Sequence, residues 1–453
     1  MPSLIFGLPF AALVLAIAIF PLLPHKFAAW WEHNRNKLLV SIFLSLIVLA
    51  WYFLRAGGYA GHGEKVEPGL ATLKHVLHLS ILEDYVPFMI LLFSLYTISG
   101  GIRVAGDIPA HPITNTVILA IGAVLANLIG TTGASMLLIR PLLQINSERH
   151  RTKHTVIFFI FIVSNVAGSL TPIGDPPLFL GYLRGVPFGW TAAKMWPITL
   201  FAVGALLLIY LIWETIEYGR ETKKDVQADE TTIVPITFSG LHNLILLIGV
   251  VLTVASVIPG RHFLGTDWQP KPYVREAILL ALAAIGYATT RAKIRQANQF
   301  NFGAIAEVAA LFLGIFVTMT ALTEWLNNSS FAVERPWQYF WASGSLSSFL
   351  DNAPTYAVFF ELAKHSTEMM RLAPHEVLSL PSGDLISNTL LMAVAAGSVF
   401  MGANSYIGNA PNFMVKRIAD DAGVKMPTFF GYMAYSVGIL VPLFVVITFI
   451  FFR

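Results

Sequence analysis

Long apolar runs separated by short polar stretches dominate this chain. Runs able to cross roughly 30 Å of hydrocarbon lie at 3–23, 38–55, 80–102, 155–180, 190–215, 242–258, 275–290, 304–325, 386–415 and 428–452. The pattern predicts an all-α polytopic membrane protein. The first run, Ser3 to Leu23, has no cationic residue ahead of it and exceeds a signal-peptide core, so it is expected to be a retained helix. Two further apolar pieces, 114–143 and 337–362, are interrupted midway, by Gly130-Thr131-Thr132-Gly133-Ala134-Ser135 and by Leu350-Asp351-Asn352-Ala353-Pro354-Thr355. A polar break bearing Gly or Pro suits a re-entrant hairpin whose turn is held inside protein. Two short conventional spans are the other reading of each.

The halves resemble each other. Ile173-Gly174-Asp175-Pro176-Pro177-Leu178-Phe179 reads as a copy of Ile407-Gly408-Asn409-Ala410-Pro411-Asn412-Phe413, and at the same offset Gly168 meets Gly402 and Ser164 meets Ser398. Chance likeness between apolar, glycine-rich stretches competes with duplication, but identities without a gap favour duplication. Paired helix breaks in corresponding halves mark a transporter's binding site. The expected division is 1–216 as a first repeat with leading helices, 217–241 as a cytoplasmic linker, and 242–453 as a second repeat. The stretch 57–79 reads as an amphipathic helix on a membrane surface, and Asn298, Phe300 and Phe302 as a short interfacial segment.

Charge orients the pattern. With both interrupted pieces as hairpins and the N-terminus outside, the loops expected inside carry Lys26, Arg35 and Lys37; Arg149, Arg151 and Lys153; Arg220, Lys223 and Lys224; Arg291, Lys293 and Arg295; and Lys416, Arg417 and Lys425. Basic loops face the cytoplasm, which places the chain in a cell (inner) membrane. The outside loops mix Arg55, Lys65, Arg261, Lys271 and Arg335 with acids. The hairpins then enter from opposite sides, so the repeats are inverted. At 56% hydrophobic and 12% charged over 453 residues, the chain has about half the charge of a soluble globule. The lipid bilayer is its expected partner; no basic, aromatic-laced patch suggests nucleic acid. The absence of cysteine excludes disulfides, thiolate metal sites and cysteine nucleophiles.

An ionisable group deep in an apolar segment is a functional hypothesis by default. Asp175 and Asp351 each sit at a break, where unwound carbonyls beside a carboxylate suit Na⁺ or a proton; the competing role is capping a half-helix. Around them lie Asn165, Thr171, Gly174, Asn352, Thr355, Asn404, Ser405, Asn409 and Asn412, with Thr131, Thr132 and Ser135 at the first hairpin tip. Such neutral groups coordinate Na⁺, bind substrate or glue helices together. Arg140 and Glu361, on the outgoing arms of the hairpins, invite pairing, or an anion contact for Arg140. Glu307 and Glu324 are expected near the ends of one span. Histidines such as His62, His150, His154 and His375 read as loop residues with no two at ligand spacing, so no metal site beyond Na⁺ is expected.

At Asn127 to Ser135, Leu170 to Pro177 and Leu350 to Thr355 the chain resembles the ion transporter superfamily. It is most similar to the branch holding D-type sodium/proton antiporters, arsenite permeases and citrate/metal permeases. The resemblance runs from about residue 80 to the end. It implies two inverted repeats, each with a re-entrant hairpin and a broken helix, on a scaffold that often forms a homodimer. By position, 131–135, 351–355, 171–177 and 404–411 would form the site. Thr131-Thr132 stands where arsenite permeases carry Asn-Asp, and the Ser-Asn-Thr signature of the dicarboxylate branch is absent.

Two transport functions follow, neither needing a cofactor. The leading one is Na⁺/H⁺ antiport by alternating access, with Asp175 and Asp351 taking either ion. The alternative is Na⁺- or H⁺-coupled transport of an organic anion such as citrate, since half-helix N-termini attract carboxylates. An intramembrane enzyme would need a nucleophile with a base or a metal ligand set. His375-Glu376 lacks a second histidine, and the serines at the breaks lack a histidine partner. Paired inverted breaks also argue against a passive channel.

Overall fold

The computed structural model describes residues 4–23, 25–61, 64–231, 233–328, 333–370 and 372–453; Ser3 and His62 lie outside them. Helices dominate, and among the described residues six are long and apolar enough to cross a membrane by length and composition. The chain is a membrane-embedded, all-α protein, and its halves present the same series of elements. The first runs α1 (Leu8–Ile19), α2 (Asn34–Leu54), α3 (Val86–Ser99), α4 (Pro112–Ile145), α5 (Lys153–Ile162), α6 (Pro176–Leu183) and α7 (Trp190–Tyr218). The second runs α8 (His242–Ser256), α9 (Val274–Thr289), α10 (Gly303–Asn327), α11 (Pro336–Ser347), α12 (Asn352–Met369), α13 (Asn388–Met401), α14 (Ala410–Asp421) and α15 (Phe429–Phe451).

Both interrupted pieces are hairpins. In α4 the backbone leaves the helix at Gly130, with φ 78° and ψ 155°. Asn115 and Asn146, 31 positions apart, exchange amide hydrogen bonds of 2.9 Å. An unbroken helix would hold them about 46 Å apart. The second hairpin turns between α11 and α12, and Tyr339 Oη near its entry donates to Leu362 O at 3.2 Å and bonds Ser366 Oγ at 2.8 Å near its exit.

A hairpin returns to the face it entered. With α1, α2, α3, the α5–α6 pair and α7 of the first half counted as one pass each, an odd number, the second half starts from the opposite face. Contacts bear this out. Strand β1 (Arg103–Asp107), after α3, pairs antiparallel with β2 (Val234–Ser239), after α7. Asn298, after α9, donates to Gly100 O and Ile102 O at 3.0 and 2.8 Å. These segments share one face with the base of the first hairpin and with Arg149, Arg151, Lys153, Arg220, Lys223 and Lys224; we call it the basic face. Across the protein, Arg184 at the end of α6 reaches Glu361 in α12 at 3.2 Å, and Trp190 Nε1 donates to Asn388 at 2.8 Å.

The halves interlock. Helix α2 runs parallel to α10, joined near the basic face by a Lys37–Glu307 ion pair and near the other by Arg55–Glu324 at 2.6 Å. Reciprocally, α9 packs on α3, where Ser94 Oγ donates to Leu279 O at 3.1 Å. Glu307 and Glu324 thus lie near the ends of α10, as expected.

Several expectations are corrected. The stretch 57–79 is no surface helix: Tyr59–Gly61 pairs with Glu64–Val66 as a ribbon, and a helix from Leu70 runs through π-helical His78–Tyr85 into α3. The expected linker, 217–241, is not among these corrections: it contains a helix, Lys223–Thr231, and strand β2, which its reading as a linker left open. His154 belongs to α5, buried, with Nε2 2.6 Å from Glu214. Arg140 and Glu361 do not pair: Arg140 donates to Gln299 at 2.8 Å near the basic face, whereas Glu361 is bound by Arg184 and by Lys364 at 3.0 Å.

Candidate functional site

The hairpin tips and helix breaks meet at Asp175. The chain leaves α5 at Ile162 and turns at Asn165, with φ −144° and ψ −87°. Gly168, Pro172 and Gly174 disfavour a helix through the segment that follows, and the helix restarts at Pro176, where a fixed φ and missing N–H suit a first turn. The second break repeats this geometry: Asp175 has φ −142° and ψ 142°, and Asn409 has φ −152° and ψ 141°. A Cβ on Gly174 would run into Gly168 O, and one on Gly408 into Gly402 O. Both breaks therefore need glycine where two backbone turns touch, and the duplication extends to conformation.

Asp175 occupies the N-cap position of α6 without capping it. Its carboxylate is fully buried and accepts from Thr131 Oγ1 at 2.8 Å, from Asn409 Nδ2 at 3.2 Å and from Asn352 Nδ2. No ion pair among the described residues involves it. Each of these four residues opens a half-helix: Thr131 the returning arm of α4, Asp175 α6, Asn352 α12 and Asn409 α14. A helix start carries a partial positive charge of about +0.5, so four starts around one carboxylate leave the region favourable to negative charge.

The opposite helix ends, with negative partial charges, are covered. Asn165 Nδ2 donates to Ile160 O at 2.8 Å and to Asn412 Oδ1 at 2.7 Å; Asn412 Nδ2 donates to Gly402 O and Ser405 O at 2.8 and 2.9 Å. Ser347 Oγ donates to Ser398 O at 2.6 Å. Asn127, absent from the expected site, donates to Ala167 O at 2.7 Å and accepts from Leu170 N at 2.9 Å. These amides satisfy carbonyls freed by the breaks.

The remaining expected residues divide by role. Ser135 and Ser164 share a 2.8 Å hydroxyl contact in the core. Thr171 Oγ1 donates to Asn127 O at 2.6 Å, and Gly174 O accepts Thr131 N at 2.8 Å, pinning the first tip to the first break. Ser405 Oγ donates to Ser348 O, and Asn404 Nδ2 to Ser348 Oγ at 2.9 Å, pinning the second tip to the second break. Thr355 donates to Asp351 O at 3.2 Å within its own helix. Thr132 is half-buried, and none of the side-chain hydrogen bonds among the described residues involves it. Asp351 caps α12, accepting Ala353 N at 3.4 Å. The two acids therefore differ: one holds its own helix, the other the junction of four.

Asn352 Oδ1 in the second tip and Asn404 Oδ1 in the second break are buried without a hydrogen-bond partner. An unpaired buried amide oxygen costs about 1–3 kcal/mol and is free to accept from a protonated carboxyl or a hydroxyl, or to ligate a cation. The described residues hold no cluster of His, Asp and Glu suited to a metal.

Gly130 supplies one test of this architecture. Its backbone lies in a region that is essentially glycine-only, costing other residues about 1–3 kcal/mol, and a Cβ there would sit 3.2 Å from Ile173 O. Gly130→Ala is expected to lower unfolding free energy by that amount and to impair transport; unfolding in detergent checks the first and vesicle uptake the second. Unchanged stability would contradict the strained turn.

Residues 1–452 match the model of a family described as "Putative citrate transport". A comparison with curated proteins found no match.

Proposed function

The chain belongs to this citrate transport family, and from that membership and the four helix starts around Asp175 we propose a cation-coupled transporter of a citrate-like organic anion. The observation that carries this reading is the resident carboxylate. Asp175 occupies, with its own negative charge, the place where the converging helix starts would hold a substrate carboxylate. A proton or Na⁺ at Asp175 removes that charge, releases Thr131, Asn352 and Asn409, and leaves the four positive ends to the anion. Substrate and coupling ion are then taken up together, because neither arrangement alone balances charge in the low-dielectric interior.

We read the basic face as cytoplasmic, which puts the N-terminus outside and the protein in a cell (inner) membrane. The repeats divide near 217–241, and access alternates by displacement of the hairpin and broken-helix unit against the interlocked helices α2, α3, α9 and α10. Na⁺/H⁺ antiport is the second reading, favoured because none of the described residues supplies an ion-pairing cation at Asp175.

Transport in sealed vesicles separates the two. The proposal expects labelled citrate to accumulate on an imposed pH or Na⁺ gradient. Dissipation of a pH gradient by Na⁺ without any organic anion, together with no citrate uptake, would replace it with antiport. In the same assay Asp351→Asn is expected to keep uptake within about threefold of the parent, because asparagine caps a helix as well as aspartate does.

A further inference from the structure

An apolar groove of about 410 Å³ opens between α1, α10 and the second hairpin. Its walls include Ala11 and Val14 of α1, Leu322 of α10, and Pro354, Val358 and Phe359 of α12. The one hydroxyl among its described lining residues, that of Thr355, donates to Asp351 O, so the groove lacks the partners that hold water. Left empty, its walls would forfeit dispersion contacts. Its mouth is the outer face of α1, where Leu8 and Leu15 remain 59% and 52% exposed. Ala11 lies between them on the same helical face. This face is continuous with the apolar surface that meets hydrocarbon. Leu8 and Leu322 both lie toward the face opposite the basic one, so the groove opens into that leaflet.

We propose that the groove binds one acyl chain of a bilayer lipid, and that the bound chain backs the second hairpin tip. Pro354 is two positions from Asn352, whose amide holds Asp175. A chain seated here fills the space the start of α12 would need to leave that contact, and so lipid packing is linked to the transport site.

The test uses the unaltered protein in vesicles of a phosphatidylcholine carrying a mid-chain diazirine. After photolysis, adducts are expected on Pro354, Val358 or Phe359, besides those on lipid-facing positions such as Ile245, 71% exposed on α8. Adducts confined to Ile245 and its like, with the α12 residues as unlabelled as buried Ile315, would overturn the proposal. Ala11→Trp fills the groove and is expected to remove the α12 adducts, keep those at Ile245 and change the transport rate by about fivefold or more; Val14→Phe serves if that variant does not fold. Loss of the adducts with transport unchanged would overturn the backing role.

Discussion

Asp175→Asn is expected to lower gradient-driven anion accumulation by about 100-fold, equivalent to roughly 2.7 kcal/mol of coupling, while anion exchange without a gradient persists. The asparagine keeps at Oδ1 an acceptor for both Thr131 and Asn409 and presents its NH₂ group only where Asn352 donates. Asn352 has an unpaired Oδ1, so turning its amide accepts the new donor and the junction survives. What disappears is the charge that a proton or Na⁺ neutralises. Uptake driven by an ion gradient and exchange of labelled for unlabelled anion across the same vesicles separate these roles. If the variant still accumulates anion on a gradient, Asp175 is not the coupling group. If exchange is lost as well although the protein folds, it does more than exclude the substrate.

The second large effect lies at the base of the first hairpin. Glu214 is fully buried and accepts from Arg149 Nη1, from Asn115 Nδ2 at 2.9 Å and from His154 Nε2 at 2.6 Å. Arg149 also donates to Ala110 O and Asn146 Oδ1, each at 3.1 Å. This cluster ties both hairpin arms to α5 and α7. Glu214→Ala leaves a buried guanidinium with only the more distant Glu221 carboxylate, 3.7 Å from its Nε, and is expected to cost about 3–5 kcal/mol, whereas removing both charges costs less than the two single changes together. Unfolding in detergent of Arg149→Ala, Glu214→Ala and the double variant checks this; strictly additive losses would show that the pair is not coupled.

Much of this arrangement was legible in the chain because lipid is a demanding solvent. An apolar run broken at Gly130, or at Asp351 to Pro354, has few ways to satisfy its backbone, so the hairpins followed from the residues. The repeat was legible at Gly174 and Gly408, where touching backbones exclude any side chain. Position alone did not separate Asp175 from Asp351: both precede a half-helix, and only tertiary neighbours turn one carboxylate outward to Thr131, Asn352 and Asn409. His154 stood at the edge of an apolar run and read as a loop residue, and Glu214 drew no reading, since nothing local announces that they are partners. The β1–β2 pairing, joining segments more than a hundred positions apart, left no periodic mark in either strand.

The reciprocal packing of α2 on α10 and α9 on α3 has a consequence for biosynthesis. When the ribosome has delivered only the first half, Lys37 and Arg55 are already in place but the acids that neutralise them, Glu307 and Glu324, are not yet made. Asp175 likewise waits for Asn352 and Asn409. Until translation nears its end the nascent protein holds uncompensated charges at both membrane boundaries and in its middle, so insertion precedes assembly.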